Sequence, residues 1–186
     1  METRLRRCII GCDIHLHVEY KNKNQKSWDK SWQTLAFDGL YISRDYALFT
    51  LMADVRNYDD VTPVAYAQGV PTDMHWGTKG KYVLHVDSKN SNREGSCSLE
   101  FAEKWINTGQ SHVVNKECVK TDEEVKEGDF ISSPDWHSAS YMDIKEVRAV
   151  NKRLPYCNPS FKAVIGAMGA LERSGYETRI VFWFDN

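Results

Sequence analysis

The sequence predicts an α+β fold in which one small mixed or antiparallel sheet contains both the first and the last strand. About four helices are expected to pack against this sheet. Three observations predict the fold: polar and apolar residues alternate near the N-terminus, apolar residues recur at helical spacing in the interior, and a continuous apolar strand closes the chain. The length of 186 residues fits one domain better than two. Residues 1–186 are therefore interpreted as a single domain.

The first element is predicted to be a strand from Cys8 to about Tyr20. Apolar residues and thiols alternate there with ionisable residues, which is the pattern of a half-buried strand. The polar run 21–26 follows, and then come Trp28 and the segment 32–37. This order predicts a hairpin turn and a returning strand.

The next predicted element is a helix over residues 43–56. Ser43 is expected to cap it, and Asp45 lies in its first turn, where a carboxylate opposes the helix dipole. Residues 57–97 are the least regular part of the chain, and only 82–86 suggests a strand there. A short helix is expected from about 99 to 107.

The last third of the chain carries the clearest signals. Ser140 followed by Asp143 resembles a capping box that opens a helix running to about residue 153. Apolar residues at helical spacing predict a further helix over 159–174, which Gly175 is placed to end. Residues 176–185 read as a strand that is buried on both faces.

Charge and cysteine content limit the classes of function. A net charge of −2 provides no overall field that would recruit nucleic acid or an anionic membrane. The odd count of five cysteines without a CxxC pair fits a reducing cytoplasm. The N-terminus has only a very short apolar run, which predicts neither a secretory signal nor a membrane span. The expected partner is a small anionic ligand, and an oligomer is left open.

The first strand carries the main candidate site. Asp13, His15, His17 and Glu19 alternate along it, so their side chains share one face at ~6.6–7 Å spacing. Imidazole nitrogen and carboxylate oxygen suit zinc, manganese or iron. We therefore predict a divalent metal held by Asp13, His15 and His17, with Glu19 as a base or as a group that orients a ligand. Alternatively, these residues form the polar outer face of a half-exposed strand.

Further donors are expected from the segment PDWHSASY. His137 precedes the predicted capped helix and is the candidate for a further metal ligand or a general acid. Ser138, Ser140 and Tyr141 add hydroxyl groups, and the helix start would offer free backbone N–H groups to an anion. The two serines are predicted to bind substrate and Tyr141 to assist catalysis. The alternative is that the serines only cap the helix.

Three charged residues complete the predicted site. Asp185 follows a buried strand and could ligate the metal or accept a hydrogen bond from a histidine. Arg44 and Arg56 flank the first helix and could bind a phosphate with two parallel hydrogen bonds. Ordinary pairing of these arginines with Asp45 or Asp54 is the alternative.

The motif D-x-H-x-H resembles the opening motif of the amidohydrolase and polymerase-and-histidinol-phosphatase superfamilies. In those superfamilies an HxH pair on the first strand binds catalytic metal, and the corresponding residues here are His15 and His17. Their folds are larger barrels that are rich in βα units, whereas this chain has few such units. The resemblance therefore implies a chemistry and not a fold.

A wider resemblance covers about a third of the chain. The segments GCDIHLHVE, RDYALFTLMADVRN, WHSASYM and RIVFWFDN resemble a family of small phage-encoded proteins. Many relatives have a second histidine where this chain has Ala139, and residues 78–130 carry no motif of the family and are interpreted as a possible insertion. The resemblance implies a phage or prophage origin and a setting in the host cytoplasm.

Together these features predict a metal-dependent hydrolase, specifically a phosphoesterase that acts on a small nucleotide or a cyclic nucleotide. By analogy with other small phage proteins, such an activity would counter a host defence signal. Two alternatives remain open. The protein could sequester a nucleotide without turnover, or it could inhibit a host enzyme by binding to it.

Overall fold

The computed structural model describes residues 11–24, 32–35 and 42–185. In this part of the chain, α-helices and strands are mixed, which confirms the α+β prediction. The strands are β1 (Asp13–Asn22), β2 (Gln33–Leu35), β3 (Val83–Val86), β4 (Ser96–Cys97), β5 (Val113–Val114), β6 (Phe130–Ser132), β7 (His137–Asp143) and β8 (Tyr176–Asp185). The helices are α1 (Tyr46–Ala53), α2 (Trp76–Tyr82), α3 (Leu99–Asn107), α4 (Ile144–Arg153) and α5 (Pro159–Arg173). None of these helices is long and apolar enough to cross a membrane.

The first sheet is antiparallel and has the strand order β2-β1-β8-β7. Its centre is the pair β1–β8, which is in register from Asp13 opposite Asp185 to Asn22 opposite Tyr176. The prediction that the first and last strands share a sheet is thereby confirmed. The pairing brings residues near the two ends of the sequence together along ten positions.

The two faces of this sheet pack against different layers. Side chains alternate along a strand, so Ile180, Phe182 and Phe184 face one way and pack with residues of α1, α4 and α5. Val181 and Trp183 face the other way and pack against Tyr82 and its neighbours. The ionisable residues of β1 lie opposite Asp185, Trp183, Val181 and Arg179, and they therefore share this second face.

A second sheet, with the order β4-β3-β6-β5, supplies the layer over that face. Its residues Val83 and Val114, together with Cys118, belong to the same apolar cluster as Val181 and Trp183. The segment 78–130, which has no sequence motif, thus contains most of this layer. The polar stripe of β1 is consequently an interlayer feature and not an open outer surface.

Helix α1 begins later than predicted. Its N-cap is Asp45 and not Ser43, because the Asp45 carboxylate accepts the backbone N–H of Leu48 at 3.0 Å. The same carboxylate also accepts hydrogen bonds from Tyr156 and Asn158, which fix it beside α5. The local sequence does not indicate these distant partners, so it could not show that Asp45 rather than Ser43 caps the helix.

The predicted capping box at Ser140 is also wrong. Residues 137–143 form β7, and α4 begins only at Ile144 with Asp143 as its N-cap. Asp143 accepts the N–H groups of Lys145 and Glu146, and the Glu146 side chain accepts the N–H of Asp143, which completes a capping box. Pairing with the edge of β8 holds the preceding segment extended.

Several other sequence predictions agree with the structure within a few residues, but the second sheet and helix α2 were not predicted. The helices predicted at 99–107 and 159–174 correspond to α3 and α5, and Gly175 follows α5 with a φ of 89° that favours glycine. The closing strand is β8, and it is buried on both faces as expected. The predicted strand start at Cys8 and the region around Trp28 lie outside the described residues.

Candidate functional site

The register of β1 against β8 divides the predicted site residues into two groups. Asp13 and His15 lie opposite Asp185 and Trp183, whereas Glu19 lies opposite Arg179. Six residues of strand separate Asp13 from Glu19, which corresponds to ~20 Å. We refer to the surroundings of Asp13, His15 and Asp185 as the His15 end, and to the surroundings of Glu19 and Arg179 as the Glu19 end.

An imidazole–carboxylate pair forms the centre of the His15 end. His15 Nε2 lies 3.1 Å from Asp185 Oδ2, and Asp185 Oδ1 accepts the backbone N–H of Asp13 at 3.0 Å. The side chains of His15 and Asp185 are 38% and 33% exposed, so a ligand in solution can reach them. A carboxylate bonded to one ring nitrogen fixes the orientation of the imidazole, which is a property needed for directed proton transfer.

Aromatic rings flank His15 on the interlayer face. Its ring centroid lies 5.0 Å from that of Trp136 and 5.9 Å from that of Trp183, and the two indoles lie 5.0 Å from each other. His17 also stacks on Trp183, with a distance of 5.1 Å between the ring centroids. Both imidazoles therefore have aromatic neighbours, while part of the His15 side chain stays accessible to solvent. Trp136 is partly exposed beside His15 and offers a flat apolar surface.

Both predicted phosphate-binding arginines lie close to this end of the sheet. Arg44 donates from Nε and Nη2 to the two carboxylate oxygens of Asp13 at 2.9 and 2.8 Å. The predicted alternatives, Asp45 and Asp54, are not its partner in this bidentate pair. Arg56 lies beside the buried Cys12 thiol, whose pKa is raised by burial although the hydrogen bond and positive charge of Arg56 act in the opposite direction.

His137 lies on the opposite face of the sheet from His15. It is paired with Phe184 and stacks on that ring at 6.0 Å, on the face that the helices cover. Its Nδ1 lies 3.0 Å from the Ser138 hydroxyl, and Ser138 adopts a φ of 49° at an irregularity in the β7–β8 pairing. The structure thus does not bring His137 to the face of His15, and Trp136 contacts His15 instead.

The Glu19 end is a network of charges centred on the buried pair of Glu19 and Arg179. Glu19 is fully buried and accepts from Arg179 Nη2 at 2.7 Å and from Nε at 2.9 Å. Its other oxygen accepts the backbone N–H of His75 at 2.9 Å. Arg179 also donates to Asp73 at 2.6 Å and lies 3.9 Å from the ring centroid of Trp32. Both Glu19 oxygens are engaged, so acting as a base would require breaking this network.

Asp73 holds its charge because of its partners. Burial alone would raise the pKa of Asp73, but hydrogen bonds from Arg179 and Trp32 outweigh that effect and keep the pKa below its usual value. The carboxylate is therefore ionised over the physiological pH range. It is a second carboxylate bound to the guanidinium of Arg179, beside Glu19.

Tyr141 belongs to the Glu19 end rather than to the His15 end, whereas Ser140 pairs with Phe182 and lies on the face that the helices cover. Tyr141 lines a groove of about 540 Å³ together with Trp32 and Arg179. Ser140 is buried, and its hydroxyl oxygen lies 3.4 Å from the backbone N–H of Gln68. The groove also presents both lysines and carboxylates, so its charge does not select a ligand of one sign.

The four predicted metal ligands do not converge in this arrangement. Asp13 faces Arg44, His15 faces Asp185, and His17 stacks on Trp183. Across residues 11–24, 32–35 and 42–185, no group of three or more His, Cys, Asp or Glu side chains is placed so that it could hold one ion. Their donor chemistry suits a divalent metal, but their positions do not form a coordination sphere. A bound metal stays a prediction.

Sequence reasoning missed Asp73, Trp183 and Arg179 as neighbours of the candidate residues. Arg179 could have been found from the register, because pairing Asp13 with Asp185 places Arg179 opposite Glu19. Asp73 lies in an irregular segment and carries no such signal.

Comparisons with protein-family models, with curated proteins and with solved structures find no match to this chain. The functional argument therefore depends on the geometry of the two ends of β1.

Proposed function

We propose that the His15 end binds a small phosphorylated ligand, a nucleotide or a cyclic nucleotide, and hydrolyses its phosphate ester. One observation carries the proposal: a solvent-accessible imidazole is bonded to a carboxylate and flanked by an indole, and Arg44 lies on Asp13, two residues before it in the same strand. The Glu19 end supports this choice by contrast, because its charges already satisfy one another.

The residues of the His15 end have separate roles in this proposal. Asp185 fixes the orientation of His15, and His15 accepts a proton from the water that attacks phosphorus or donates one to the departing oxygen. Arg44 and Arg56 offset the negative charge of the phosphate. A nucleobase stacks on Trp136, because indole and base present flat π-faces to each other.

A divalent cation such as zinc, manganese or iron is part of the prediction from sequence. Asp13, His15, His17 and Asp185 have the donor atoms that such an ion prefers. When bound, it would supply Lewis-acid polarisation of a phosphoryl oxygen. Side chains would have to move from their present partners to surround an ion, so the metal content of the purified protein is an essential measurement.

A second candidate function is sequestration of a nucleotide without turnover. The contact of Trp136 with both His15 and Trp183 supports it, because a stacking platform beside arginines is sufficient for binding. Either function would suit a phage protein that removes a nucleotide signal in the host cytoplasm. That setting follows from the family resemblance and belongs to the proposal.

The test is incubation of the purified protein with a panel of mononucleotides and cyclic nucleotides, followed by chromatography. We expect a hydrolysed product, and we expect His15→Gln to lower its rate by about 10²- to 10⁴-fold, the usual contribution of a general acid or base. His85→Gln is the matched control, because His85 lies in β3 beside Phe130 in the second sheet. Metal analysis and a chelator test the cation separately.

The outcomes separate the two candidates. Intact nucleotide recovered from the denatured protein supports sequestration. Full hydrolysis by His15→Gln, or equal losses in both histidine variants, would contradict a catalytic role for the His15 end.

A further inference from the structure

The guanidinium group of Arg44 lies against the backbone of Gly11. A Cβ atom built on Gly11 would overlap the guanidinium group of Arg44, so the side chain lies directly over the Gly11 backbone. From this position its planar fork faces both oxygens of Asp13 at 2.8–2.9 Å. In this position Arg44 uses the space beside Gly11 and is held by an internal carboxylate.

The pair between Arg44 and Asp13 is accessible to solvent. The side chains are 54% and 31% exposed, and ion pairs of such exposure are weak because water and salt screen them. Two parallel N–H donors match the oxygen spacing of a carboxylate and also that of a phosphate. An external anion with the same geometry can therefore compete for the same donors.

We infer that the Asp13 carboxylate occupies the N–H donors of Arg44 when no ligand is bound, and that a phosphate group of the ligand displaces it from Arg44. This inference rests on the proposed function of the His15 end. Gly11 would then determine specificity, because its missing side chain lets the guanidinium lie where it can exchange one anion for the other. Exchange also releases the Asp13 carboxylate, which is adjacent to the His15–Asp185 pair.

The exchange has a signature that simple charge attraction lacks. Asp13→Asn removes the internal competitor, and we expect phosphate to bind about 2- to 5-fold more tightly, which corresponds to the loss of one exposed ion pair. Arg44→Gln should abolish this gain, so that the double variant binds no better than Arg44→Gln alone. Gly11→Ala should weaken phosphate binding by displacing the guanidinium.

The experiment is calorimetric titration of the full chain with inorganic phosphate, and with acetate as the carboxylate arm. Glu177→Gln is the matched control, because it removes one exposed acidic charge that pairs with Lys21 at 3.3 Å in another part of the sheet. A gain that is specific to Asp13→Asn and depends on Arg44 supports the exchange. Equal gains in Asp13→Asn and Glu177→Gln, or no gain in either, would overturn it.

Failure of the exchange and failure of the proposed function are distinguishable. Hydrolysis that depends on His15 without any gain in Asp13→Asn retains the function and removes the exchange. Phosphate exchange without turnover retains the exchange and removes the hydrolase. Circular dichroism identifies misfolding of Gly11→Ala, and the Arg44→Gln arm decides the question without that variant.

Discussion

The two ends of β1 carry the same kinds of residue in very different environments. At the His15 end, Asp13 and His15 are partly exposed and form ion pairs that water can reach. At the Glu19 end, the carboxylate is fully buried and bonded on both oxygens. Alternation of ionisable residues along one strand therefore does not define one site.

The difference shows that solvent access and partner saturation separate a reactive group from a structural one. A buried, saturated ion pair is costly to break and offers nothing to a ligand. An exposed pair is weak, so its members can change partners. This contrast is the reason for proposing a catalytic role for His15 and a structural role for Glu19.

The largest effect is expected from Glu19→Ala. It removes the fully buried partner of Arg179 and leaves this buried guanidinium with only the exposed Asp73 carboxylate, so we expect the free energy of unfolding to fall by about 3–5 kcal/mol. Asp13→Asn should change it by only about 0–1 kcal/mol. Urea unfolding of both variants provides the measurement, and similar losses at the two positions would contradict the contrast.

A smaller effect is expected on ligand affinity from Trp136→Ala. Loss of a stacking surface should weaken nucleotide binding by about 1–3 kcal/mol, whereas inorganic phosphate, which has no base, should bind as before. Trp76 is 80% exposed at the start of α2, so Trp76→Ala is a suitable control. An equal loss for nucleotide and phosphate would argue against base stacking on Trp136.

The smallest effect is a dependence of stability on pH that arises from Asp73. Its pKa is lowered in the folded protein by Arg179 and Trp32 against the effect of burial. Its stabilising contribution is therefore complete above the unfolded-state pKa of about 3.9 and is lost as the pH falls through the lowered folded value.

The matched variant for this effect is Asp73→Asn. The stability difference between the native chain and this variant should be constant near neutral pH and should shrink in acid. Urea unfolding between neutral pH and about pH 3 measures it. A stability difference between the two proteins that increases as the pH falls would contradict this prediction.

Local sequence was sufficient for the fold class and for the shared face of the ionisable residues. The alternation from Asp13 to Glu19 determines that face, and the apolar run of β8 identifies the partner strand. It was not sufficient for the position of His137. The local signal favoured a helix start, whereas pairing with β8 made this segment a strand and turned His137 towards Phe184.

The remaining site features depend on contacts between distant segments. Asp73 reaches Arg179 across more than a hundred residues of sequence, and Trp136 reaches His15 through the packing of two layers. The role proposed for Gly11 can be recognised only in the folded structure, where the Arg44 guanidinium lies against its backbone. No local pattern encodes such contacts, because each depends on the tertiary arrangement.

The most direct test of the proposed site is to determine whether a ligand binds at the His15 end or at the Glu19 end. Indole N–H resonances report the two ends separately in NMR spectra, since Trp136 lies beside His15 and Trp32 lies beside Arg179. Single Trp→Phe variants assign the resonances, and adenosine monophosphate serves as the titrant. We predict that the Trp136 resonance shifts while that of Trp32 does not. A shift of Trp32 with an unchanged Trp136 would contradict the assignment.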